Sequence, residues 1–85
     1  MMMVEVFMTN IRSSEEANQL KAMLDERFPG LSVHVDIEHA EPEWPCRHNV
    51  LRVQGETIDR EGIIGTVSAL GFECGILEDK ICSKP

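Results

Sequence analysis

The residues best suited to chemistry in this sequence are the histidines and the cysteine near its middle. His39, Cys46 and His48 all lie in the segment HAEPEWPCRH. Thiolate sulfur and imidazole nitrogen are good ligands for Zn(II) and Cu(I). Their spacing matches no zinc-finger or zinc-knuckle pattern, and at least one further ligand is missing. Two interpretations stay open: a transition-metal site, or a proline-stiffened loop with Trp44 folded onto the domain.

Residues for covalent catalysis form no recognisable set in the sequence. Ser13 and Ser14 are adjacent hydroxyls, but no histidine stands near them to act as a general base. No pair of carboxylates falls in an evident cleft either. We therefore expect a protein that binds rather than an enzyme, with no cofactor apart from the Zn or Cu that the histidine and cysteine group would take.

Charge limits the kinds of partner that this chain can have. Eight basic and fifteen acidic residues give a formal net charge of -7, which opposes attraction to the phosphates of nucleic acids and of anionic membranes. Cys46, Cys74 and Cys82 are odd in number and form no CxxC pair, which fits a reducing compartment. Met1 to Val4 is too short for a signal peptide, so we expect a cytoplasmic protein.

The start of the chain reads as a strand, a short loop and the beginning of a helix. Val4, Val6 and Met8 alternate with Glu5, which predicts a half-buried strand with those three side chains on one side. Ser13 is expected to cap the following helix, with Glu16 three residues later completing a capping box.

Hydrophobic periodicity and turn signals place the other elements. The predicted elements are a helix over 14–28, strands over 31–38 and 49–54, a helix that Asp59 caps and that runs to about Leu70, and a strand over 72–77. The side chains predicted to point inward from these elements are Ala17, Leu20, Leu24, Phe28, Val33, Val35, Ile37, Leu51, Val53, Ile63, Val67, Leu70, Cys74 and Ile76. Residues 1–78 are predicted to form a single domain, and 79–85 a flexible tail.

This element order, βαββαβ, is typical of the α+β ferredoxin-like fold. Right-handed crossovers then predict a four-stranded antiparallel sheet in the order 4-1-3-2, with both helices on one face. The Thr9 to Ser13 loop, the His39 to His48 hairpin and the Leu70 to Phe72 turn are expected at one end of the domain.

The first loop and the second helix together resemble the heavy-metal-associated domain of copper chaperones and copper-transporting ATPases. In that family the loop has the sequence Met-Thr-Cys-x-x-Cys. At the corresponding positions this chain has Met8, Thr9, Asn10 and Ser13. The family's closing pattern recurs as IIGTVSALGF, residues 63–72. The resemblance implies the fold and a packing role for Met8. It does not imply the metal site, because amide and hydroxyl oxygens are poor ligands for Cu(I) or Zn(II).

Three side chains are candidates for contact with a partner. Phe7 and Val50 are expected on the open face of the two central strands, and Trp44 offers a rigid contact surface in the hairpin. The first hypothesis is a protein-interaction module with an unidentified partner or with itself. The second is a metal-binding protein that uses His39, Cys46 and His48. A small-molecule sensor that dimerises through its sheet is a third possibility, because one fold hosts many functions.

Overall fold

Two helices and four strands follow one another in the predicted order. The computed structural model describes residues 2–38, 41 and 48–76. The elements are β1 (Met3–Thr9), α1 (Ser14–Arg27), β2 (Ser32–Asp36), β3 (Asn49–Gly55), α2 (Arg60–Ala69) and β4 (Cys74–Ile76). Leu77, expected at the end of the last strand, lies outside this part of the chain.

The strands form one antiparallel sheet in the order β2-β3-β1-β4, which is the predicted 4-1-3-2 order read from the other edge. β1 is central and pairs with β3 along its whole length, from Met3 opposite Gly55 to Thr9 opposite Asn49. β4 pairs with the last part of β1 only. The α+β ferredoxin-like fold is therefore confirmed.

Both helices begin at the predicted caps. The Ser13 hydroxyl accepts from the backbone N–H of Glu16 at 3.2 Å, and the Asp59 carboxylate accepts from that of Gly62 at 3.0 Å. The capping box of α1 is displaced by one residue, because the Glu16 carboxylate accepts from the N–H of Arg12 at 2.8 Å and not from that of Ser13. Each of these side chains still accepts a hydrogen bond from a backbone N–H that has no partner within the helix.

The core contradicts the predicted orientation of β1. Phe7 is fully buried and belongs to the core cluster, whereas Val4 on the other side of the strand is 54% exposed. The register places Phe7 beside Leu51, on the sheet face that the helices cover. The alternating sequence pattern predicted the wrong face because apolar residues lie on both sides of β1. Glu5 was the residue that indicated the polar side. An aromatic ring buries more apolar area than a valine, so Phe7 takes the inner face.

The rest of the core agrees with the sequence pattern apart from the ends of the elements. Fully or nearly fully buried members of the cluster are Phe7, Ile11, Ala17, Leu20, Leu24, Val33, Leu51, Val53, Ile63 and Val67. Ile37, expected inward, is 37% exposed because β2 already ends at Asp36. Cys74 and Ile76 are only half-buried, but they pack against the cluster from the expected side.

Two glycines inside α2 have different surroundings. A Cβ on Gly62 would lie 2.5 Å from Asp59 Oδ2 and 2.9 Å from Phe28 Cζ. A Cβ on Gly65 would meet nothing within 4 Å. Gly62 is thus needed for close contact with the cap and the end of α1, whereas Gly65 only costs helix propensity.

We expect Gly65→Ala to raise the free energy of unfolding by about 0.5–1 kcal/mol, because alanine loses less backbone entropy in a helix. Gly62→Ala should forfeit that gain and displace the Asp59 cap, which is worth about 1 kcal/mol. Urea unfolding of both variants and of the wild type measures the difference. Equal stability changes in the two variants would contradict the packing role of Gly62.

Candidate functional site

The last residue of β1 and the residue after it are hydrogen-bonded to the residue just before β4. The Thr9 hydroxyl donates to the backbone carbonyl of Glu73 at 2.8 Å. The Asn10 side-chain oxygen accepts from the backbone N–H of the same residue, also at 2.8 Å. Asn10 stands where the resemblance places the first metal-binding cysteine, and here its amide holds two chain segments together.

A second amide holds the same end of the domain from inside. Asn49 is fully buried. Its Nδ2 donates to the carbonyl of Ile11 at 2.6 Å, and its Oδ1 accepts from the N–H of Glu38 at 2.7 Å. It therefore ties the β1–α1 loop, the chain after β2 and the start of β3 to one another.

Sequence reasoning missed the importance of Asn49. It was predicted only as the first residue of β3, although it shares the inward parity of Leu51 and Val53. A polar residue on the buried side of a strand must find hydrogen-bond partners. That parity was the available signal, but it did not reveal which backbone groups Asn49 would bind.

All four residues of the predicted degenerate metal loop lie at this end, and each has a structural role. Thr9 and Asn10 bind Glu73, and Ser13 caps α1. Met8 is only 1% exposed, and it lies opposite Val50 on the sheet face away from the helices. Ile11 lies between Asn10 and Ser13 in the loop. Its side chain is fully buried in the core, and this fixes the loop backbone.

The metal interpretation rests mainly on residues outside the described part of the chain. His39, Trp44 and Cys46 lie there, whereas His48 is half-buried just before β3. Among residues 2–38, 41 and 48–76, no three histidine, cysteine or acidic side chains come close enough to hold a metal ion. The site of His39, Cys46 and His48 therefore stays a prediction.

The thiol of Cys74 stays protonated at neutral pH and is therefore a poor nucleophile. It is half-buried and stands opposite Thr9 in the sheet. Burial raises the pKa of Cys74 from 9.0 to about 12, because removal of water penalises the thiolate. The thiolate is the nucleophile and the metal ligand, so this cysteine serves as a small apolar side chain.

A serine and a histidine touch on the exposed face of β2, but their arrangement does not suit catalysis. Ser32 Oγ and His34 Nε2 are 3.3 Å apart. The nearby carboxylate of Asp36 pairs with Arg52 at 3.5 Å, so it does not orient the imidazole as a triad requires. The pair is exposed to water on an edge strand, where a serine gains no help from a desolvated site.

Comparison with known proteins adds no family to this geometry: no family model, curated protein or solved structure matches the chain. The likeness to heavy-metal-associated domains thus rests on the loop and the second helix. Neither helix of the described residues has the length and apolar character needed to cross a membrane.

The two asparagines provide a matched test of the loop end. Asn49→Ala would leave a buried carbonyl and a partly buried N–H without their partner, at a cost of about 2–4 kcal/mol. Asn10→Ala removes one exposed hydrogen bond and should cost about 0.5–1.5 kcal/mol. Chemical denaturation of both variants checks this order. If Asn10→Ala proved the more harmful change, the buried bridge would not be the main anchor.

The raised pKa of Cys74 predicts a loss of stability in alkali. The folded chain keeps this thiol protonated up to about pH 12, whereas the unfolded chain releases the proton above 9.0. The contribution is complete below pH 9.0 and falls as pH rises toward 12. Urea midpoints across this range should decline less steeply for Cys74→Ala than for the wild type. Parallel slopes in the two proteins would contradict the shift.

Proposed function

We propose that this chain is a small, non-catalytic protein-interaction domain. It resembles a heavy-metal-associated domain in which the metal loop has become a structural joint. The hydrogen bonds of Thr9, Asn10 and Ser13 support this proposal, because each polar group that replaces or flanks a metal ligand is already engaged. Because the polar groups of this loop are already hydrogen-bonded, we expect the domain to act through its outer surfaces.

The observation that carries the proposal is the apolar row on the sheet face away from the helices. Val4 is 54% exposed there, and Val6 and Val50 are half-buried. Met8 lies directly opposite Val50 but is only 1% exposed, so it is Val50 that extends the apolar surface from β1 onto β3. Apolar groups gathered on one open face are typical of a protein contact site.

The composition of this contact patch differs from the predicted one. Phe7 is excluded as a contact residue because it is fully buried in the core. Val50 keeps its expected place on the open face. The patch is therefore defined by Val4, Val6 and Val50, and the contact role of Trp44 stays a prediction outside the described residues.

Charge indicates the kind of protein that would bind. The net charge of -7 favours a partner with a basic rim around its apolar contact, and it disfavours nucleic acids and anionic membranes. A cytoplasmic location is part of the proposal, because the cysteines are odd in number and form no CxxC pair in the sequence.

Val4→Glu tests the patch, because it puts a carboxylate into the apolar row at an exposed position that folding tolerates. Gln54→Glu is the control: it lies directly opposite Val4 on the same face and adds the same charge without removing apolar surface. Affinity capture from cell extract, quantified by mass spectrometry, should enrich proteins with wild type and Gln54→Glu. Val4→Glu should lose them by about tenfold or more, the effect of a mid-sized contact residue.

Equal capture by all three proteins would refute the patch. Loss with both variants would attribute binding to charge alone and not to the apolar row. Circular dichroism of Val4→Glu should match the wild type, since the side chain lies outside the core.

A further inference from the structure

The outer edge of β2 is an open pairing site. Within the part of the chain that the structure describes, β2 pairs with β3 and with no other strand. The side chains of Ser32, His34 and Asp36 are exposed. Natural edge strands are usually guarded by proline, lysine, a bulge or an inward-pointing charge, and the run LSVHVDI, residues 31–37, contains no proline or lysine.

We propose that a second copy of this chain pairs with this edge. The two β2 strands would run antiparallel about a two-fold axis through His34, joining two four-stranded sheets into one. This interface uses a different surface from the patch of Val4, Val6 and Val50.

The reason for choosing a second copy is the near-palindromic sequence of the strand. Antiparallel pairing about His34 sets Val33 against Val35 of the second copy, and Leu31 against its Ile37. These side chains all fall on the helix side of the sheet, so every pair there is apolar. On the open side, Ser32 meets Asp36 of the second copy and His34 meets its own copy. Across the junction of the two β2 strands, here called the seam, the helix side of the sheet therefore stays apolar and the open side stays polar, as correct register requires.

The local charge permits this pairing although the whole chain is acidic. The strand carries one carboxylate, Asp36, which already pairs with Arg52 at 3.5 Å. In the proposed register the two Asp36 residues stand four positions apart, about 13 Å along the strands. That exceeds the screening length of about 8 Å at physiological ionic strength. Electrostatic repulsion at the seam is therefore weak enough for two chains of net charge -7 to approach each other there.

A mostly polar cleft beside the strand leaves one apolar side chain exposed at the same edge. It has a volume of about 240 Å³ between β2 and α1, and its walls include Ala17, Lys21, Val35 and Ile37. Ile37 is 37% exposed. In the proposed register the backbone of the second copy near Leu31 would lie against Ile37, which removes from water part of an apolar side chain that the single chain leaves exposed; the Leu31 side chain itself packs on its own core.

His34→Glu tests the seam without endangering the fold. Inside one chain the new carboxylate would stand opposite Arg52, whereas across the axis it would face its own copy. Two like charges about 5 Å apart in water weaken association by on the order of fourfold or more. Sedimentation equilibrium should show a wild-type dimer, a weaker dimer for His34→Glu, and an unchanged dimer for Ser68→Glu, which adds one negative charge at an exposed position of α2, away from β2.

Disulfide trapping tests the register itself. In the proposed dimer the two residues at position 34 face each other across neighbouring strands, within the Cα separation that a disulfide spans. Oxidised His34→Cys should therefore form a covalent dimer. Ser32→Cys, on the same strand and face, would lie about 13 Å from its copy and should not. Wild type under the same oxidant shows what the natural cysteines contribute.

A wild-type protein that stays monomeric at millimolar concentration would overturn the proposal. Equal cross-linking of Ser32→Cys and His34→Cys would overturn the register. A dimer that His34→Glu leaves intact and Val4→Glu dissociates would place self-association on the open sheet face instead. Because Val4→Glu leaves the β2 seam untouched, failure of the seam and failure of the proposed contact patch give different results.

Discussion

The need to pair buried backbone groups at one end of the sheet governs this structure. Four chain segments meet there, namely the β1–α1 loop, the residues after β2, the start of β3 and the residue before β4, and two amides and a hydroxyl join them. Asn49 does so from the interior, to the carbonyl of Ile11 and the N–H of Glu38. Asn10 and Thr9 do so from the loop, to both backbone groups of Glu73. An unpaired buried group costs about as much as several apolar contacts gain, so the buried bonds of Asn49 contribute most to closing this end and the exposed bond of Asn10 contributes less.

The same constraint governs the β1–α1 loop, which the sequence resemblance compares with a metal-binding loop. The resemblance implies a loop in which two thiolates and a metal ion hold the chain together. Here the amide of Asn10 and the hydroxyl of Ser13 stand in those places, and each makes a local hydrogen bond instead. The chain's own polar groups therefore hold this loop through hydrogen bonds.

The fold was predictable from sequence because several independent signals agreed. Caps at Ser13 and Asp59, the glycine after α2 with φ of 95°, and clean alternation in β2 and β3 each placed an element. β1 lacked that agreement, since it is apolar on both sides, and its faces were inverted. Periodicity fixes a strand's two sides but not which one the helices cover, and only the packing of Phe7 against Leu51 settles that choice. The roles of Asn10 and Asn49 were equally hidden, because their partners lie 63 and 38 residues away.

The inverted strand also changes where the domain can act. Phe7 was expected on the open face, but it lies in the core, where it stabilises the fold instead of contacting a partner. Outside the core, the described residues leave a valine row on the central strands and a β2 edge that no described strand covers. These surfaces adjoin through Arg52, which stands beside Val6 in one register and beside His34 in the other. A strand added at β2 would extend the sheet without covering the valine row. Self-pairing and partner binding are therefore compatible in geometry, and a dimer would present two valine rows on one continuous sheet.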